Sequence, residues 1–225
     1  MMEAGSGSLS NLMRFVDFRR LDAVIISHLH HDHYVDLFSL RHAVEGARRA
    51  DTLAGPVKLF IPSEPAEEFK NIAGYEKAFH VVPIESLPRE GLGEQLYVSR
   101  LDLGELVFRF APAKHSVPGF CISVEGTGRL VFSGDTARTG GLVALAKGAD
   151  LFLCEASGVD RDAGYLKDAH LTARQAGEVA REAGAGRLLI THFWPEYDVA
   201  ELCAQAAEGF GGRVAAAIEG ETYQV

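Results

Sequence analysis

Six consecutive residues, His28-Leu29-His30-His31-Asp32-His33, concentrate side chains that bind metal ions. His28 and His30 lie two positions apart at the end of an apolar run, residues 23–27, that reads as a strand, so they project to the same side. Asp32 and His33 follow as the chain turns toward a helix. These four ligand-type residues can fill parts of two neighbouring coordination spheres; His31 is not counted among them. Imidazole nitrogen and carboxylate oxygen suit zinc, and iron, manganese or cobalt accept the same donors. A site of this kind needs further ligands from later in the chain. His115, Asp135 (within Ser133-Gly134-Asp135-Thr136) and His192 each follow an apolar strand-like segment, where loops carry function on a rigid scaffold.

The elements that must position these residues are legible as short apolar runs bounded by Gly, Pro or Asp. Strands are expected at residues 23–27, 57–61, 81–84, 95–100, 106–111, 120–124, 130–133, 151–154, 188–191 and 214–218. Residues 95–100 alternate polar and apolar, as a half-exposed strand does, whereas 151–154 and 188–191 do not, which suits strands buried on both faces. Thr172-Ala173-Arg174-Gln175 reads as a capping box opening a helix that stops at Gly184. A second helix starts at Asp198 and ends near Gly209, and others are expected at 9–18, 35–49, 65–72 and 141–146. Sheets covered by helices follow from this pattern, an α/β layered fold.

Composition narrows the classes. With 225 residues, 47% of them apolar, and no visible linker, a single domain over residues 1–225 with a substantial core is expected. No run approaches the ~20 apolar residues of a membrane helix, so no membrane partner is expected. Residues 1–11 are rich in Gly and Ser without a basic start and apolar stretch, which points to the cytoplasm. Cys121, Cys154 and Cys203 are scattered and odd in number, against a disulfide framework. The net charge of −9, from 31 acids and 22 bases, argues against broad attraction to nucleic acid.

The order His-x-His-x-Asp-His, then His, then Asp in a Ser-Gly-Asp-Thr turn, then His, resembles the metallo-β-lactamase superfamily along nearly the whole chain. The resemblance implies a four-layer αβ/βα sandwich with two divalent metal ions at one edge. It assigns His28, His30 and His115 to one metal, Asp32, His33 and His192 to the other, and Asp135 as the bridge. Two metals ~3.5–4 Å apart generate a nucleophile near neutral pH and offset charge on a phosphoryl or carbonyl oxygen. Asp32 then both ligates and orients the attacking water. Zinc is the expected ion, with Mn2+ or Fe2+ as alternatives. Related enzymes are often dimers, so a homodimer is implied as well. The family usually opens with a strand hairpin leading into an Asp-x-Gly-x-Gly turn. Here Glu3-Ala4-Gly5-Ser6-Gly7 occupies the turn and the first strands are expected to be lacking.

Superfamily membership does not fix the substrate. Glu155-Ala156-Ser157 and His170-Leu171-Thr172 resemble the Glu-Ala-Thr and His-x-Thr motifs of the ribonuclease Z branch. By that likeness His170 is the general acid and Glu155 its partner, a carboxylate that stabilises the imidazolium. The tRNA-processing enzymes carry a long tRNA-gripping arm between the motifs matched by His115 and Asp135. Residues 116–134 hold only a strand, a Gly126-Thr127-Gly128 turn and another strand. The likeness is therefore to the short-form, ribonuclease Z-like group, with a small nucleotide or related phosphodiester as expected substrate and against tRNA. The alternatives are a hydrolase of acyl bonds (lactone, thioester or β-lactam), a tRNA 3′-end endonuclease, and a non-catalytic metal-binding protein, which the complete set of seven ligand positions disfavours. A redox di-iron role is disfavoured by His30, where that branch usually has Glu. Trp194 and Pro195, directly after His192, wall a pocket or simply pack.

Overall fold

A computed structural model describes residues 1–92 and 96–225. The chain forms two compact units, Met1–Ser86 and Leu87–Val225. The first contains the helix α1 (Ser8–Leu12), the strand β1 (Ala23–Ile25), the helices α2 (His31–Tyr34) and α3 (Leu37–Arg49), β2 (Val57–Ile61), α4 (Ala66–Ala73) and β3 (Phe79–Pro83). The second contains β4 (Arg89–Leu92), β5 (Leu96–Leu103), β6 (Leu106–Pro112), β7 (Phe120–Glu125), β8 (Arg129–Phe132), α5 (Gly140–Ala146), β9 (Leu151–Glu155), α6 (Ala163–Leu166), α7 (Ala173–Ala183), β10 (Leu188–Thr191), α8 (Val199–Phe210) and β11 (Val214–Ala216). No helix among the described residues is long and apolar enough to cross a membrane.

In the first unit β1, β2 and β3 form a parallel sheet in that order. Met2 adds a parallel bridge to Ile25, and no hairpin precedes β1 among the described residues. Helix α3 buries Leu37, Leu40, Val44 and Ala47, the i, i+3, i+7 and i+10 spacing of one helical face, in the same core as Val24, Ile26, Leu59 and Ile61. Burying each large aliphatic side chain there contributes about 1.5–3 kcal/mol. The helix expected over 9–18 ends at Leu12 instead. The chain leaves it through turn bonds from Arg14 N to Asn11 O and Phe15 N to Leu12 O. The Asp17 carboxylate then caps a new 3-10 turn at the Arg19 amide. Local polar capping overrides the apolar pattern.

The second unit is one mixed sheet in the order β11-β10-β9-β8-β7-β6-β5-β4. Strands β8 to β11 pair in parallel and β4 to β8 antiparallel. The parallel strands are the ones whose sequence is continuously apolar, and β9 and β10 are largely buried. The strand expected over 95–100 is β5, with Val98 buried and Tyr97 exposed; Gln95 lies outside the described residues. The Thr172 hydroxyl accepts the Gln175 amide at 3.2 Å and the Gln175 side chain accepts the Thr172 amide at 3.0 Å, forming the expected capping box of α7. Gly184 ends the helix at φ 64°. β4 and α6 escape the sequence reading, because four residues give too short a period to register.

Helices α7 and α8 meet through glycine. A Cβ on Gly177 would lie 2.1 Å from the Ala206 carbonyl oxygen, and one on Gly209 would lie 2.2 Å from that of Arg174. Ala favours a helix over Gly by about 1 kcal/mol, yet here the backbone contact decides the sign. Gly177→Ala is expected to destabilise the protein at the upper end of the roughly 1–3 kcal/mol that overpacking costs, read as a lower urea midpoint. An unchanged or raised midpoint would show that the two helices separate freely.

Candidate metal centre

The first unit supplies one set of donors. After β1 the chain stays extended to His30, at φ −81° and ψ 145°, and then turns into α2. His28 Nε2 and His30 Nδ1 approach to 3.1 Å, so the two-residue spacing does bring both rings to one point. The His28 and His33 rings are 4.0 Å apart. Asp32 Oδ2 lies 3.6 Å from His33 Nε2, and the Asp32 side chain is largely exposed. His31 faces Tyr34 at the surface.

Glu3 organises this set. Its carboxylate accepts the Ser27 amide at 2.7 Å and the Ser27 hydroxyl at 3.0 Å, and it takes a short hydrogen bond from His33 Nδ1. The Ser27 proton being given to Glu3, Ser27 Oγ accepts from His28 Nδ1 at 3.1 Å. Both rings are thereby fixed in the tautomer whose lone pair is on Nε2. The turn around Glu3 is built for close approach. Glu3 has φ 61°, and a Cβ on Gly5 would fall 2.0 Å from the Asp32 carbonyl oxygen. The Ala4 amide donates to His33 O at 2.8 Å and Ala4 O accepts from Asp36 N at 2.8 Å. The residues 3–7 matched to the family's opening turn are thus an ordered support for the metal motif.

The second unit holds its own set of donor side chains, which Thr136 ties together. Gly134 takes φ 56°, which permits the tight turn after β8 that presents Asp135. The Thr136 hydroxyl accepts the Lys114 amide at 2.9 Å, pinning the loop that carries His115 beside the Asp135 turn. His115 Nδ1 donates to Ala169 O at 2.8 Å, again leaving the lone pair on Nε2, which lies 3.9 Å from Asp135 Oδ2. His192 Nε2 lies 3.2 Å from the same oxygen. His192 sits at φ 57°, a left-handed conformation that few non-glycine residues adopt and that clusters at functional sites.

Glu155 is the hub beneath this set. It is fully buried at the end of β9 and accepts the Thr136 amide at 2.6 Å, the Ser157 hydroxyl at 2.6 Å and the Leu171 amide at 3.3 Å. His170 Nδ1 donates to it at 3.1 Å. Burial disfavours charge on His170, but the Glu155 hydrogen bond and charge, with Asp135 behind, outweigh that and hold its pKa above the ordinary imidazole value. Because Ser157 gives its proton to Glu155, its oxygen accepts from His192 Nδ1 at 3.1 Å. Ligand-type atoms of Asp135, His170 and His192 lie within 4.8 Å of one another, as do those of Glu3, His28 and His33.

Each unit therefore holds the same device, a carboxylate that orients one imidazole directly and a second through a serine: Glu3–Ser27–His28 and Glu155–Ser157–His192. Sequence reasoning singled out the histidines and quoted Ser157 within the Glu155-Ala156-Ser157 motif without giving it a role, and it missed Ser27 and the role of Glu3. The only available signal was position, each serine directly before or two after a recognised motif residue. Nitrogen donors with fixed tautomers, beside carboxylate oxygens, are the donor chemistry that zinc-type divalent cations take.

The family described as "Beta-lactamase superfamily domain" matches residues 5–193. The probable metallo-hydrolase YhfI of Bacillus subtilis is 27% identical over 227 residues, which take in 100% of this chain and 87% of YhfI. The crystal structure of YhfI, a metallo-beta-lactamase fold protein, superposes with a TM-score of 0.85 at 25% identity, covering 98% of this chain and 85% of the other. A Mycobacterium leprae protein is 33% identical over 238 residues, 100% of this chain and 78% of its own. A ribonuclease Z of Brevibacillus brevis is 27% identical over 252 residues, 88% of this chain and 76% of its own. With its ligand motifs in the family order, its fold matched over almost its whole length and the family match running from residue 5 to residue 193, the chain belongs to the β-lactamase superfamily and is a metal-dependent hydrolase of that family.

Proposed function

We propose that the protein is a two-metal phosphodiesterase acting on a small nucleotide or related phosphodiester. The observation that carries the reading is the His170–Glu155 pair, an imidazole donating to a buried carboxylate at 3.1 Å beside His192 and Asp135. By the family pattern, His28, His30 and His115 would hold one divalent ion and Asp32, His33 and His192 a second, with Asp135 available to both; zinc fits the donors best. When bound, two such ions lower the pKa of a water and neutralise charge on the phosphoryl group. Asp32 orients the water that attacks phosphorus. As the bond to the leaving group breaks, His170 Nε2 gives its proton to the departing oxygen, and Glu155 stabilises the imidazolium before that step. The likeness to a ribonuclease Z supports phosphodiester chemistry. The short β7–β8 hairpin, closed by the bond from Gly126 N to Gly128 O, fills the place of a tRNA-gripping arm and supports a small substrate.

The test is metal analysis of the supplemented protein together with a screen of phosphodiester, lactone and thioester substrates. About two metals per chain and selective turnover of bis-p-nitrophenyl phosphate are expected. Fewer than two metals contradicts the dinuclear assignment; preferential turnover of a lactone or thioester supports the acyl-bond alternative instead.

A further inference from the structure

The chain contains a single tryptophan, and it is placed where packing does not ask for it. Trp194 is 60% exposed, although Phe193 before it and Tyr197 after it are packed against the core of the second unit. The turn between them is closed by the Tyr197 amide donating to Trp194 O at 3.1 Å. The Tyr197 hydroxyl donates to Asp162 at 3.0 Å, which ties this turn to the start of α6. Gly158 seals the knot, since a Cβ there would fall 2.9 Å from Leu166 Cδ1 and 3.1 Å from the Tyr197 hydroxyl. Helix α6 exposes a second aromatic, Tyr165, at 83%.

Both aromatics are coupled to the reacting end of the proposed site. The segment carrying Tyr165 runs straight into His170, whose amide donates to Leu166 O at 2.9 Å. The segment carrying Trp194 begins at His192, whose Nδ1 donates to Ser157 Oγ at 3.1 Å. The His170 and His192 rings lie nearly parallel, 5.7 Å apart and 15° from coplanar. A rigid turn that holds a large aromatic in solvent, two residues from one side of that pair, presents a stacking surface at low entropic cost.

We infer that Trp194 is a stacking platform for the aromatic base of the substrate, so the phosphodiesters taken are those of nucleotides. The inference rests on the phosphodiesterase reading and adds the substrate's base to it. Base stacking on an exposed aromatic is sequence-tolerant, because every base has a π-face.

Trp194 is its own reporter. The metal-loaded full chain is titrated with adenosine 5′-monophosphate and, separately, with ribose 5-phosphate, while tryptophan fluorescence is read. Adenosine monophosphate is expected to quench and the base-free sugar phosphate is not. In parallel, turnover of the p-nitrophenyl ester of thymidine 5′-monophosphate is compared with that of methyl p-nitrophenyl phosphate. Trp194→Ala is expected to raise KM for the thymidine ester about 10-fold relative to the methyl ester, with Trp194→Phe recovering most of the loss. Equal responses to the two phosphates, an unchanged KM ratio in Trp194→Ala, or a Trp194 shielded from acrylamide by self-association each overturn the inference. Quenching by adenosine monophosphate without turnover of either ester overturns the phosphodiesterase reading and leaves the base platform standing. Turnover of both esters with an unchanged ratio does the reverse.

Discussion

His170→Ala is expected to lower phosphodiester turnover by about 10²–10⁴-fold, the usual contribution of a positioned general acid, while metal content stays at the wild-type level. The two readouts separate two roles that proximity alone leaves together. His170 Nδ1 is only 4.0 Å from Asp135 Oδ2, within the reach of a shared ion. That nitrogen, however, is turned onto the Glu155 carboxylate at 3.1 Å and 3.2 Å, and a donor to a carboxylate carries its proton there. Only Nε2 is left to exchange a proton with substrate. Leu166 O behind the His170 amide and the capping box that starts two residues on, at Thr172, hold the ring in place. Metal content that falls with turnover would make His170 a ligand and remove the acid assignment. Unchanged hydrolysis of bis-p-nitrophenyl phosphate would remove both.

Much of the candidate donor set was legible in sequence because its members follow strands. A strand end presents a side chain at a fixed place, so an apolar run followed by His or Asp already states a position. His28, His30, His115, Asp135 and His192, the proposed ligands, were all singled out that way. The supporting polar atoms were not, for physical reasons. Ser27 acts through one hydroxyl beside a motif, with no periodicity or composition to mark it, and Ser157 stood in a quoted motif with nothing to show which rings its hydroxyl serves. Ala169 serves His115 with a backbone carbonyl, which is invisible in any sequence. Glu3 was read as a turn residue, but its grip on His33 spans thirty positions and depends on the φ 61° backbone that brings residues 3–7 against Asp32. Apart from β4, the strands were placed within a few residues because parallel burial and alternation are written in apolar runs. The helix expected over 9–18 failed where the Asp17 carboxylate captured the Arg19 amide. Exposed aromatics such as Trp194 were ambiguous in sequence for the opposite reason: the residue type says core, and only fractional exposure says otherwise.

Glu155→Ala is expected to cost on the order of 3–5 kcal/mol of stability, the range seen when one partner of a buried charged network is removed, and to abolish turnover as well. The carboxylate is fully buried and takes four donors from three places in the fold: the Asp135 turn through Thr136, the end of its own strand through Ser157, and the α7 entry through Leu171 and His170. Alanine leaves the Thr136 and Leu171 amides in the interior with no acceptor, and each such group costs about 1–3 kcal/mol. For a chain of this size that amounts to a fall of about 10 °C in the melting temperature. Glu155→Gln supplies one carbonyl oxygen in place of two carboxylate oxygens. It accepts from one side of the hub while its amide group faces donors on the other, so it should melt between alanine and wild type. Its turnover should nevertheless fall toward that of His170→Ala, because the negative charge that stabilises the imidazolium has gone with the second oxygen. Stability and turnover thus separate across the two substitutions, which a purely structural carboxylate would not produce. A Glu155→Gln protein with wild-type turnover would place Glu155 in the scaffold alone. An alanine variant melting with the wild type would show that the buried amides find other acceptors.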